Sequence, residues 1–405
     1  MLGFDLGPTM SLATIVLLLA LFAAFAADRV LARRLAVRER ERESDRRRAA
    51  AEDEAEPFQQ APLTCVRFEV VAERGTRSME LAEHAESWRS AMASIGARLR
   101  DDGVVAIVFA HGSFVGNDPL SALALMERAF PAGRPLAKML RRRTRAYVDR
   151  LLGDRGNFGP GYVRLFEQAL GGTIPCSAFV WSSENHHLGR LEGALGLVRT
   201  LATHAELAPP RGRILVLGHS HAGQVFALVT QLLSRSLASE AILDVARARS
   251  LDISALDVDL GTLEASLLDL VTFGAPARYA WASVPNIRSL HVVHGREASP
   301  LSGHDWVRRL GGAGSDFPAL VAHERLLNAS LVPALGPGFA PVELMRSLRT
   351  APAMPTHGEL VLVDYGGARL TSVLSSGLGH AVYTRLDGML FHASLVTARL
   401  YRRAA

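Results

Sequence analysis

Lysine is almost missing from this chain. Of its 45 basic residues only Lys138 is lysine, and the rest are arginine. Set against 40 acids, they leave a net charge of +5 and an isoelectric point near 9.7. No helix-turn-helix, zinc-finger or RNP pattern accompanies that charge, so nothing points to a nucleic-acid partner. Aromatics are scarce as well, at 6%, which speaks against a platform for stacking single-stranded bases. The two cysteines, Cys65 and Cys176, allow one bridge at most and lack the spacing of a metal site. Cys176 lies in the apolar run CSAFVW, where a buried thiol is the simplest expectation. The His186-His187 pair and the histidines at 219 and 221 have no clustered carboxylates at ligand spacing. No metal and no other cofactor is expected. No internal repeat of roughly 20–50 residues is present.

Charge disappears altogether between Leu6 and Ala27. Those 22 residues, at a rise of about 1.5 Å each, would make a helix of about 33 Å, enough to cross a bilayer core. Asp5 precedes the run with no Lys or Arg, while Arg29, Arg33, Arg34 and Arg38 follow it. Residues 1–27 therefore read as an uncleaved single-pass anchor, with the rest of the chain on the cytoplasmic side of a bacterial inner membrane. A secretion leader is the competing reading. From 28 to 56, nine arginines are interleaved with nine acids in a stretch rich in helix formers. Its apolar positions are too few for a coiled coil. Residues 28–62 read as a charged stalk, broken at Pro57 and Pro62.

Apolar residues are abundant, 49% against 21% charged, so a large buried core is expected and global disorder is excluded. Between 63 and 405, short apolar runs alternate with amphipathic stretches. LTCVRFEVV (63–71), VVAIVFA (104–110), CSAFVW (176–181), RILVLG (213–218), LLDLVTFG (267–274), SLHVVH (289–294) and ELVLVDYG (359–366) read as strands. Residues 79–100, 188–207 and 222–237 read as helices. The fold class is α/β: a mostly parallel sheet with helices on both faces.

The residues able to do chemistry fall at strand ends. Gly218-His219-Ser220-His221-Ala222-Gly223 follows RILVL directly and opens an apolar helix. Small residues two positions either side of Ser220 leave room for a tight strand–turn–helix. Such a turn holds a serine in strained geometry with its Oγ exposed at a helix N-terminus.

GHSHAGQ resembles the nucleophile elbow of the α/β-hydrolase superfamily, in particular lipase-like and esterase-like members with a GHSHGG-type sequence. Three further segments carry the resemblance: VFAHGSF (108–114), similar to a His-Gly oxyanion loop; VTFGAPARY (271–279), similar to a strand-end segment; and WSSENHH (181–187), with Arg190 and Ala194 beyond it, similar to a turn at the active-site mouth. Ala222 in place of glycine departs from the pattern. The resemblance implies the chain order Ser, acid, His. Glu297, three residues past SLHVVH, is the favoured acid and Asp305 the competitor; either is also an ordinary loop carboxylate beside Arg296 or Arg308. His380, after a Ser/Gly-rich loop, is the expected base, whereas His392 reads as a core histidine. The backbone N–H of His221 and one from Ser113 or Phe114 would form the oxyanion hole.

Acyl transfer from an ester to water is the activity this implies, on a small-molecule or lipid ester. Residues 116–172 are long for such a connection and read as a helical cap or lid. The densest basic run, Arg141, Arg142, Arg143 and Arg145, reads as a solvated or membrane-facing surface suited to acidic headgroups. Two other classes stay open: a catalytically silent interaction protein on the same fold, and a peptidase or acyltransferase using the same triad.

Overall fold

Continuous apolar strands need cover on both faces, and the architecture supplies it. The structure, a computed structural model, describes residues 63–67, 86–112, 134–152, 157–183, 187–275, 279–294, 358–364 and 383–401. The expected anchor and stalk, residues 1–62, lie outside these. In chain order the elements are β1 (Leu63–Arg67), α1 (Glu86–Asp101), β2 (Val104–Ala110), α2 (Arg134–Leu152), α3 (Pro160–Ala169), β3 (Cys176–Phe179), α4 (His187–Glu206) and β4 (Arg213–His219). They continue with α5 (Ala222–Leu233), α6 (Leu237–Ala248), α7 (Leu256–Glu264), β5 (Leu267–Phe273), β6 (Ile287–His294), β7 (Glu359–Asp364) and α8 (Met389–Leu400). All described residues belong to one compact unit. Among them, no single helix is long and apolar enough to cross a membrane.

The seven described strands form one sheet in the order β1-β7-β6-β5-β4-β2-β3, with every neighbouring pair parallel. Alternation along β2 and β4 divides the core. Ala106, Val108, Ile214 and Val216 face a layer built on α4, α5, α6 and α7. Ile107, Phe109, Leu215 and Leu217 face the opposite layer of α1, α3 and α8. Helix α5 is buried along its whole length, as a central helix with no polar stripe must be. The fold class read from the sequence, α/β with a parallel sheet and helices on both faces, is present.

Two elements differ from the expectation. Residues 222–237 were expected as one helix, yet α5 ends at Leu233 and α6 starts after a bend of 109°. The cause is local. Arg235 adopts φ +51°, a left-handed helix stop, and its guanidinium holds Asp257 at 2.8 Å and Glu264 at 3.0 Å. The second difference concerns the stretch expected as a cap. Its helix α3 buries Tyr162, Val163, Leu165 and Phe166, and Tyr162 and Phe166 pack edge-on against Phe109 of the sheet. That part of the stretch is core layer.

The chain direction reverses once across the sheet. From β2 the chain goes outward to β3, returns to β4 on the other side of β2, and then runs through β5, β6 and β7 the opposite way. Such a switch opens a crevice outside the carboxyl ends of the two diverging strands, where α/β folds bind ligands. Here it lies between the ends of β2 and β4.

Candidate active site

Ser220 stands at that switch point, one residue past β4 and two before α5, and is buried. Its φ is +55°. A non-glycine residue pays about 1–3 kcal/mol for such a conformation, which persists only where the surroundings enforce it. They do so through hydrogen bonds. The Ser220 N–H donates to Phe273 O at 2.8 Å, and the Gly223 N–H donates to Ser220 O at 3.0 Å. The sharp turn expected at GHSHAG is therefore present, with Ser220 at its strained position.

Three backbone segments crowd this turn too closely for side chains. A Cβ on Gly112, just past β2, would lie 2.7 Å from Ser220 Cβ. On Gly218 it would lie 2.5 Å from the Phe226 ring, and on Gly223 it would lie 2.4 Å from Ala275 Cβ. Alanine at 222 fits, fully buried, with its methyl 3.1 Å from the place a Gly218 Cβ would take. The position after the serine that excludes a side chain is Gly223, while position 222 accepts the alanine methyl.

His111 locks the segment that presses on Ser220. Its Nε2 accepts the Trp181 N–H at 3.2 Å, so the ring proton sits on Nδ1 and donates to Gly112 O at 2.9 Å. Trp181 Nε1–H returns a bond to His111 O at 2.9 Å, and the two rings stack. Burial, reinforced by the Arg145 guanidinium, lowers the His111 pKa to about 3, so the ring is neutral. His111 is a fixed strut between the ends of β2 and β3, unable to serve as a base at neutral pH.

Of the residues expected from the sequence, Ser220 and His221 are described. His221 is buried at the N-terminus of α5. Ser113, Phe114, Glu297, Asp305 and His380 lie outside the described residues, but the anchors of their segments are described. Tyr383, three residues after His380, is fully buried with its ring 6.0 Å from that of His219 and 6.3 Å from that of Phe273. Its neighbour Thr384 accepts the Asn157 N–H on Oγ1 at 3.1 Å. His294, three residues before Glu297, ends β6, beside the strand whose Phe273 carbonyl holds Ser220. His392 is buried in α8 with its ring 5.0 Å from Phe273, and burial lowers its pKa to about 3. That is the behaviour of a core histidine. Cys176 is half-buried rather than buried, and burial still pushes its thiol up to about 12.

A second polar group was not foreseen. Arg190, fully buried on α4, donates to Tyr279 Oη at 3.2 Å, and His187 Nδ1 lies 2.6 Å from the same oxygen. Tyr279 and the 187–190 turn both belong to segments singled out in the sequence, but nothing in either segment says that they meet. Among the described residues no group of three or more His, Cys, Asp or Glu side chains is placed to hold a metal ion.

The arrangement can support attack by a strained serine, two residues before α5, on a carbonyl placed between the ends of β2 and β4. No family model matches this chain, and no curated protein or solved structure is similar to it.

Proposed function

We propose that the chain is a serine hydrolase of the α/β-hydrolase type, held at a membrane by residues 6–27 and cleaving a carboxylic ester of a small molecule or lipid. One observation carries this reading: Ser220 has φ +55° in a strand–turn–helix at the point where the sheet's connections reverse. Positive φ is shared by Ser183, Arg211, Arg235 and Ser250, so what distinguishes Ser220 is its tight turn from β4 into α5 at the switch point. A nucleophile that must project its Oγ from the top of a sheet calls for such a turn.

In the proposed cycle the Ser220 Oγ attacks the ester carbonyl while its proton passes to His380. The proton then goes to the departing alcohol, leaving an acyl-serine. Water, deprotonated by His380, attacks that acyl group and releases the carboxylic acid and free Ser220. Glu297 orients the imidazole, with Asp305 as its alternate. The N–H groups of His221 and of Ser113 or Phe114 stabilise the tetrahedral oxyanion. Two neighbourhood facts support this assembly. Gly112 packs on Ser220. Tyr383, three residues after His380 in the chain, lies against His219 of the elbow.

A fluorophosphonate probe tests the proposal. Labelling of the full chain that disappears in Ser220→Ala, together with hydrolysis of p-nitrophenyl esters, is the expected result. Labelling that survives the substitution removes Ser220 from its role. A wild-type chain that takes no label and cleaves no ester is a silent interaction protein on this fold.

A further inference from the structure

Apart from Arg145, whose guanidinium faces His111, the densest basic run has no described part in the Ser220 site. It lies on α2, whose sequence holds seven arginines and lysines against a single carboxylate, Asp149. That helix is therefore +6, while the whole chain is only +5. The remainder of the protein sums to −1, so its excess positive charge resides in one helix and is not a general arginine bias.

α2 has an inner and an outer side. Arg145 is half-buried and donates from Nη2 to Asn157 Oδ1 at 3.3 Å, with half-buried Arg141 one turn before it. Leu136, Met139, Arg143, Ala146 and Arg150 recur at spacings of three and four, share one arc and are exposed, with Arg142 at its border. Leu136 and Met139 keep 49% and 42% of their surface in solvent. The outer face thus begins apolar and continues cationic.

We propose that this face of α2 docks on an anionic lipid surface. Leu136 and Met139 enter the boundary between headgroups and acyl chains, while Arg142, Arg143 and Arg150 pair with lipid phosphates. A helix that is merely solvated would mix acids among its exposed cations and would not leave two large apolar side chains in the same arc. A nucleic-acid face would use the arginines but gain nothing from leucine and methionine in the footprint. Apolar anchors and arginines together on one helix fit a lipid interface. Each cation near such a surface raises partitioning about fivefold, so three arginines supply a factor on the order of 100. The proposal is independent of the chemistry assigned to Ser220.

The test follows α2 itself, because a membrane anchor elsewhere would carry the chain to any bilayer. Full-length protein with Cys65→Ser and Cys176→Ala receives an environment-sensitive fluorophore at Met139→Cys. It is placed in nanodiscs of phosphatidylcholine, with or without phosphatidylglycerol. The expected result is a blue-shifted emission, quenched by lipids brominated in the acyl chain, only when phosphatidylglycerol is present. The response should weaken with salt and vanish in the Arg142→Gln/Arg143→Gln/Arg150→Gln variant, whose circular dichroism and Tm match the parent's. If that variant does not fold, Leu136→Ser and the salt titration of the parent carry the same test. Equal emission in both lipids overturns the proposal. So does a shift that appears on adding duplex DNA or RNA but not phosphatidylglycerol, which would assign the face to nucleic acid.

Discussion

At Ser220 a single torsion angle separates structural from chemical demands. With φ at +55°, any L-residue at this position is strained, and removing the hydroxyl does not relieve it. Ser220→Ala is therefore expected to fold with nearly the parent's Tm. Ser220→Gly should be more stable than Ser220→Ala by about 1 kcal/mol, and equally dead towards the fluorophosphonate. Urea titration of the two variants decides it, and a glycine variant less stable than the alanine one would contradict the strain argument. Gly112→Ala probes the other side of the crevice. Its methyl would sit 2.7 Å from Ser220 Cβ, so a loss of about 1–3 kcal/mol is expected. Ester hydrolysis should fall with it, since the serine itself must move. The sharp turn at Ser220 was legible because its steric demands fall within six consecutive residues. The sequence did not disclose the His111–Trp181 strut or the Arg190–Tyr279–His187 group. Those partners are about 70 to 90 residues apart in sequence and meet only after the sheet has formed.

Elements were legible where burial is two-sided. The runs of β2 and β5 announce strands because every side chain needs an apolar partner, whichever face it takes. The α5–α6 break was hidden because a helix stop without glycine leaves little compositional mark: here Arg235 itself takes the left-handed conformation. A buried carboxylate in β5 was equally silent. Asp269, fully buried, receives Arg213 at 2.9 Å from β4, Arg288 at 2.7 Å from β6 and the Tyr401 hydroxyl at 2.6 Å from the end of α8. Arg288 also donates to Leu400 O at 2.6 Å, and Arg98 of α1 donates to Tyr401 O, so two cations cap the carbonyl end of α8. This knot ties three strands and two helices at the end of the sheet opposite Ser220. Asp269→Asn removes the charge that both arginines face and is expected to cost about 3 kcal/mol, because breaking a buried pair leaves its partners uncompensated. Tyr401→Phe should cost less, about 2 kcal/mol. Chemical denaturation with unchanged phosphonate labelling of the folded fraction is the check; loss of labelling without loss of stability would mean that the two ends of the sheet are coupled.

At the scale of the whole molecule, the described histidines His111 and His392 are buried as neutral rings, and this contributes to its response to acid. His111 and His392 both have pKa values lowered by burial to about 3, and half-buried His204 shifts the same way. Unfolded histidine titrates near 6.5. Between about pH 6.5 and 3 the unfolded chain therefore binds protons that the folded chain refuses. Stability is fully present above that window and declines as the pH falls through it. The decline approaches about 1.4 kcal/mol per pH unit for each such histidine, or about 2.7 for the two together. Carboxylates titrate mainly below about pH 5, so the interval from 6.5 to 5 isolates the histidine contribution. His392 is the cleaner site for substitution, since His111 also carries the Gly112 and Trp181 hydrogen bonds. His392→Leu, close in volume and set among Phe273, Val396 and Ala393, should change stability little at pH 8. It should reduce the slope between pH 6.5 and 5 measured by urea unfolding. A slope unchanged by His392→Leu would mean that the ring accepts a proton inside the fold, and that the layer beneath α8 is more open to water than its packing implies.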